Sequence, residues 1–294
     1  MSNTEKVRPV VVGVDGSQDA LLALDWAAAK AAAHGRPLQL VYVYHVIPTA
    51  WPADAGTRPV PTETGERVLA QARERVAAAY PELDVAVTQR EGRAPQVLVQ
   101  ESRDASMLVV GREGIGRVAE MVLGSVSLAV ASKATVPVAV IPGSWKPPAS
   151  PYGRIVLGID GSENCKAAAK YAFEAAAEQN AELVTAYAWH QPWNRPDDWP
   201  LGTEDPHVKA DVERALAAVI DDLQKEYPEV PVDVVAEVEH PALVLGRVAS
   251  KADLVVIGGR GHGAVTGMLL GSVARAILRH VDRPVIIVHQ DATR

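Results

Sequence analysis

The chain has one cysteine, Cys165, among 294 residues, so no internal disulfide can brace it and a reducing compartment is expected. Its neighbours Glu163, Asn164 and Lys166 place it early in a helix, in a structural rather than a reactive role. No apolar run approaches the roughly 20 residues of a membrane span, and Met1-Ser-Asn-Thr-Glu5 lacks the apolar core of a secretory signal. Charge of one sign is not in large excess either. The formal net charge is −7 with acids and bases interspersed, which argues against an extended nucleic-acid footprint. A cytoplasmic protein with no membrane span and no nucleic-acid partner is the expectation. Two familiar phosphate-binding signatures are also missing. The turn after the first strand reads Asp15-Gly16-Ser17 where a dinucleotide fold needs G-x-G-x-x-G, and no lysine precedes Ser125 or Ser272 as a P-loop requires.

What is present is one pattern written twice. Leu254-Val-Val-Ile-Gly258-Gly-Arg-Gly261-His-Gly263 leads to Leu270-Gly271-Ser272, and upstream Met107-Leu-Val-Val-Gly111-Arg-Glu-Gly114-Ile-Gly116 leads to Leu123-Gly124-Ser125-Val126. Both copies share the spacing G-x2-G-x9-G-S. An unbroken apolar run reads as a parallel strand buried on both faces, and glycines at its carboxyl end let backbone N–H groups approach a ligand. Ser272 then opens an amphipathic helix, with Ser272 or Gly271 as its cap. Four N–H groups left unpaired at that end make an anion site.

Between these stretches the chain alternates strands and helices. Pro9–Val14 is a strand, and Ser17 caps a helix over Ala20–Ala31. Strands follow at Pro37–Tyr44, Val85–Thr88, Met107–Val110 and Val136–Ile141. Helices are expected up to Tyr80, over Pro95–Ser102 and over Ser125–Lys133, with a Pro-rich loop at Pro48–Pro61. Beyond Gly143-Ser-Trp-Lys-Pro-Pro-Ala-Ser-Pro151 the order restarts, Arg154–Ser162 repeating Val10–Ser17. The expected architecture is α/β: two tandem doubly wound parallel five-stranded sheets, flavodoxin/Rossmann-like, over residues 1–143 and 153–294, with a linker at 144–152.

In such sheets ligands bind beyond the carboxyl ends of the strands, where the strand order reverses. In a flavodoxin-like order the first and fourth strands flank that crevice. Asp15 then faces the Gly111–Gly116 loop, and Asp160 the Gly258–Gly263 loop. A carboxylate can accept from a ribose hydroxyl or an adenine amino group, while loop N–H groups and the helix end hold phosphates. Together they describe a nucleotide.

Val14-Asp15-Gly16-Ser17 and Ile159-Asp160-Gly161-Ser162, each paired with G-x2-G-x9-G-S, resemble the ATP-binding class of the universal stress protein family in its tandem, actinobacterial form. The resemblance spans nearly the whole chain. It implies an adenine nucleotide alpha hydrolase-like fold, one ATP per domain and a homodimer formed through fifth-strand edges. It also implies a regulatory role in growth and stress survival, exerted on a protein partner still to be identified. Position by position it implies a first ATP site of Gly13, Val14, Asp15, Gly111, Gly114, Ile115, Gly116, Arg117, Gly124, Ser125 and Val126. The second comprises Gly158, Ile159, Asp160, Gly258, Gly261, His262, Gly263, Gly271, Ser272 and Val273. Asp15 and Asp160 could help organise Mg²⁺.

The copies part at one point. The second loop reads Gly259-Arg260, the family's common pattern, and the first reads Arg112-Glu113. An acid near phosphates repels them, so ATP should bind more tightly in the second domain. Plainer readings stand beside these: the glycines as turn formers, Asp15 and Asp160 as holders of the Asp-Gly-Ser turns, Arg112 and Arg260 as solvated charges. His45 and His190 end matching strands in a structural role, and Trp51, Trp189, Trp193 and Trp199 pack under loops. No activated nucleophile or paired acid marks an efficient ATPase. Slow ATP hydrolysis, a flavin-binding electron-transfer module and a pure scaffold are the alternatives.

Overall fold

Unbroken valine and leucine runs satisfy their environment only when both faces of a strand are covered. In β1 (Val10–Gly13) and β4 (Met107–Gly111), Val10–Val12 and Met107–Val110 are all buried. The computed structural model describes residues 7–45, 61–114, 123–160, 162–188, 214, 216, 219–260 and 270–290. They fall into two units, Met1–Pro147 and Pro148–Arg294.

The first unit adds β2 (Leu38–Tyr44), β3 (Val85–Glu91) and β5 (Val138–Ile141). Its order is β3-β2-β1-β4-β5, with the strands parallel. Val10 pairs with Leu38 on one side and Met107 on the other. Chain direction across the sheet therefore reverses between β1 and β4. The crossovers are α1 (Gln18–Ala33), α2 (Pro61–Ala79), α3 (Ala94–Glu101) and α4 (Ser125–Lys133). On α1, Ala23, Leu24, Ala27, Ala28 and Ala31 are at most 1% exposed. A face of alanines lets the helix axis lie close to β1 and β4, and burying Leu24 there contributes about 1.5–3 kcal/mol.

Two strands differ from their expected bounds by more than one residue at one end. β3 runs on to Glu91 because every residue of β2 from Leu38 to Tyr44 finds a partner on it. β5 begins at Val138, as Pro137 has no N–H to give a ladder, although its carbonyl accepts from Leu108.

The second unit repeats the plan with β6 (Arg154–Ile159), α5 (Glu163–Gln179), β7 (Glu182–Ala188), helical residues 219–226 as α6, β8 (Val232–Glu237), α7 (Pro241–Ala249), β9 (Leu254–Gly258), α8 (Ser272–His280) and β10 (Val285–Val288). The order is β8-β7-β6-β9-β10, again parallel. Asp253 accepts backbone N–H groups of Tyr152, Gly153 and Arg154 at 3.0, 2.8 and 3.2 Å, fixing the entry to β6. Among the described residues no helix is long and apolar enough to cross a membrane.

Candidate functional site

The reversal of strand order opens a crevice over the ends of β1 and β4, and the sequence at each end shapes one wall. After β1 the chain turns at Gly16, whose φ of +88° favours glycine. Asp15 Oδ1 accepts the Ser17 N–H at 2.8 Å, and Ser17 Oγ accepts the Ala20 N–H at 3.2 Å, capping α1. So Asp15 does hold the turn, through one oxygen, Oδ1. The other, Oδ2, faces Gly114: a Cβ built on that glycine would stand 2.8 Å from it. The carboxylate and the glycine loop, remote in sequence, meet across the crevice.

Past β4 the loop is latched at both ends. The Arg112 N–H donates to Ile141 O at 2.7 Å, and the Gly124 N–H donates to Arg112 O at 2.9 Å. Ser127 Oγ lies 2.8 Å from Arg112 O and 2.9 Å from Gly124 O, sharing its proton between them. Gly124 is the cap of α4, and the first bond inside the helix runs from the Leu128 N–H to Gly124 O. Ser125, Val126 and Ser127 therefore carry the N–H groups that precede the helical ladder. The expected four reduce to three at the helix start, since the cap's own N–H is engaged by the latch.

A cleft of about 680 Å³ lies between these walls, within the range of small-molecule sites. Gly13, Val14, Asp15, Gly111, Gly114, Gly124, Ser125 and Val126 all line it. Ile115, Gly116 and Arg117 lie outside the described residues. Sequence reasoning missed the apolar wall, built by Val41, Tyr42 and Val43 of β2 with Ala94 and Leu98 of α3. Their signal was the carboxyl end of the neighbouring strand, with α3 brought close because Gly13 has no Cβ to meet Leu98. Arg112 and Glu113 line the cleft as well, Arg112 being only 9% exposed.

One buried acid was also missed. Asp19, in the first turn of α1, is 4% exposed, and its Oδ2 accepts the Glu113 N–H at 3.0 Å. Gly111 brings its Cα against the Asp19 backbone, and a Cβ on Gly143 would overlap the Asp19 carboxylate. Three segments thus converge on it.

The second unit uses the same frame. Gly158 and Ile159 end β6 and Asp160 follows it; Asp160 Oδ1 accepts both the N–H and the Oγ–H of Ser162, at 3.0 and 2.7 Å. Ser162 therefore turns its hydroxyl to the carboxylate and makes no side-chain cap to α5. Gly258 ends β9, the Gly259 N–H donates to Val288 O at 3.0 Å, and the Gly271 N–H donates to Gly259 O at 2.9 Å. The latch is the same. Gly271, rather than Ser272, is the cap of α8; Ser272 and Val273 form its first turn. Gly261, His262 and Gly263 lie outside the described residues. Tyr187, the counterpart of the cleft-lining Tyr42, has its phenol pushed above the usual value, first by burial and then by the charge of Asp160.

The loops diverge where the sequence did. A Cβ on Gly259 would fall inside the imidazole of His289, whereas the first unit has Arg112 and Pro142 at those positions. Cys165, 1% exposed, is packed in α5. His45 is exposed at the end of β2, while His190, Trp51, Trp189, Trp193, Trp199 and the Pro48–Pro61 loop up to residue 60 lie outside the described residues. Among the described residues no cluster of three metal-ligating side chains occurs.

The model of the universal stress protein family matches residues 6–142 and again 151–289. A universal stress protein of Mycolicibacterium smegmatis is 33% identical over 286 residues, covering 95% of this chain and 96% of its own length. One of Mycobacterium tuberculosis is 34% identical over 301 residues, covering 99% and 100%. Among solved structures, a universal stress protein from Archaeoglobus fulgidus superposes with a TM-score of 0.69, at 19% identity, over 97% of this chain and 99% of that one.

Proposed function

The chain belongs to the universal stress protein family, and from that premise we propose that it binds ATP in both units and regulates stress survival and growth through its nucleotide-bound state. The observation that carries this reading is the first cleft. It brings Asp15, the loop glycines and the start of α4 around one space of nucleotide size. In the complex, Asp15 and Asp160 take the ribose or adenine hydroxyl and amino donors. The N–H groups of Ser125–Ser127 and of Ser272–Ala274 face the phosphates, with the apolar β2 and α3 wall against the base in the first cleft. Mg²⁺ would supply charge neutralisation between phosphate oxygens and the nearby carboxylate. Main-chain donors do most of the holding, a design for retention rather than turnover. In this reading residues 1–143 and 153–294 are the two ATP-binding domains and 144–152 the linker. The homodimer through fifth-strand edges and the protein partner that reads the ATP-bound state belong to the same proposal, as does a cytoplasmic location.

Denaturing the freshly purified protein and identifying the released small molecule tests the reading directly. ATP bound in stoichiometric amount is expected, with Asp15→Ala and Asp160→Ala each removing one site from a calorimetric titration. ADP alone would point to slow hydrolysis and a flavin to electron transfer. No release and no heat on adding ATP would reject nucleotide binding.

A further inference from the structure

We propose that the first unit carries a second ligand site, at the amino ends of β2 and β3, fitted to a small zwitterion of the free α-amino-acid class. It lies at the end of the sheet opposite the Asp15 cleft, so it stands whether or not that cleft takes a nucleotide.

Two helix ends build the site. α1 stops in a left-handed turn at Gly35, φ +58°, where the Gly35 N–H donates to Ala32 O at 3.2 Å and the Arg36 N–H to Ala31 O at 2.9 Å. This pairing closes the helix and sends Arg36 and Pro37 straight into β2. α2 ends at Ala79, shortly before Pro81, which cannot continue a helix. The Leu83 N–H donates to Tyr80 O at 3.1 Å and the Leu38 N–H to Asp84 O at 2.9 Å, which brings the two turns side by side. Between them is a cavity of about 440 Å³, a small-molecule volume, with Arg36, Pro37, Tyr80, Pro81, Glu82 and Asp84 in its lining.

Opposite charges share this cavity without neutralising one another. The Arg36 guanidinium donates only to Arg8 O, at 3.4 Å. Among the described residues, the Glu82 and Asp84 carboxylates have no hydrogen-bond or ion-pair partner, and the Tyr80 ring meets no other ring. A ligand with a carboxylate and an ammonium on one carbon answers all of these groups at once. Its carboxylate takes the fork of Arg36 and its ammonium donates to Glu82 and Asp84. Its side chain lies against Tyr80 and the two prolines. The last turn of α2 carries no basic residue, so its carbonyl end adds partial negative charge on the ammonium's side. The second unit shows what the same frame does without a ligand to hold. There the Ala181 N–H donates to Ala176 O and the Leu183 N–H to Pro231 O, so Ala181 and Pro231 stand where the first unit has Arg36 and Asp84. Tyr80-Pro81-Glu82 recurs as Tyr227-Pro228-Glu229. Tyr227, however, packs on the buried ring of Phe173, centroids 6.1 Å apart, at a position that is Ala28 in the first unit. One tyrosine serves the core, and the other is left to the cavity together with both charges.

Amide NMR titration of the full chain with each of the proteinogenic amino acids as free compounds reads the site through Gly35, Arg36, Leu83 and Asp84. At least one amino acid should shift these amides saturably and leave those of Gly13 and Gly111 in place. Its N-acetyl and its carboxamide derivatives, each lacking one charge, should bind about tenfold more weakly, the worth of a lost charged hydrogen bond. Arg36→Gln should weaken the parent amino acid by a similar factor, and so should Glu82→Gln combined with Asp84→Asn. All three substitutions leave the backbone bonds of the two turns intact, and unchanged amide spectra outside the site check that the variants fold. Three results would each overturn the proposal: no amino acid shifting these amides, affinity that survives both Arg36→Gln and the double variant, or an N-acetyl derivative that binds as tightly as its parent.

Discussion

The two units share a backbone plan down to the hydrogen bond that latches each glycine loop, and differ in what fills the space behind it. In the first, the two positions hold a buried arginine, Arg112, and Pro142; in the second, Gly259 leaves room for the ring of His289. Across the two strand ends one position loses its side chain and the other gains a larger one. Matched changes of this kind keep a duplicated frame packed, because an overlap or a void left by a single change costs stability.

The strongest way to break the comparison is to copy one half of a pair. Gly259→Arg puts a Cβ into the His289 ring and should cost about 1–3 kcal/mol in chemical denaturation, as overpacking does. Adding His289→Pro should return a good part of that loss, giving a coupling energy well above the few tenths expected of independent sites. Additive losses would mean that the two positions are not a unit. A smaller difference sits at the serine turns. Ser17 caps α1, so Ser17→Ala should cost about 1 kcal/mol, while Ser162→Ala removes no cap and should cost less in the same thermal or urea melt. Equal losses would erase that distinction.

The smallest effect is a titration. Burial and Asp160 raise the Tyr187 phenol above its ordinary value near 10. The folded state therefore holds this proton more tightly than the unfolded chain, so stability is present below pH 10 and is lost as pH rises through the raised value. Asp160→Asn should lower the midpoint of phenolate absorbance assigned by comparison with Tyr187→Phe, leaving the part due to burial. No movement would separate the carboxylate from the second unit's tyrosine.

Much of this was legible in the sequence for physical reasons. Val10–Val12 and Leu254–Ile257 read as buried parallel strands because nothing polar interrupts them, and G-x2-G-x9-G-S repeated after such strands fixed where a crevice must lie. Asp19 was not legible. An acid in the first turn of a helix looks like an ordinary partner of the helix dipole, and its acceptor bond joins residues 94 positions apart. The apolar wall of Val41–Val43 escaped for a related reason: strand residues announce burial but not which end of the sheet they serve. The His289 and Gly259 pairing was present in the sequence as Pro142 and Arg112 at the matching places, yet only the packing makes the two differences one.

The latch has a consequence for how this surface can change over time. Gly124 to Arg112 O and Gly271 to Gly259 O each tie, at 2.9 Å, the start of a helix back to the end of the strand before it. The segment between is a cassette. Residues between the latch points can be exchanged, lengthened or shortened at a closure cost that grows only with the logarithm of length, while β4, α4 and their counterparts keep their register. Variation is thereby channelled into the segment between the latch points, and a lineage can try new sequences there without renegotiating its core.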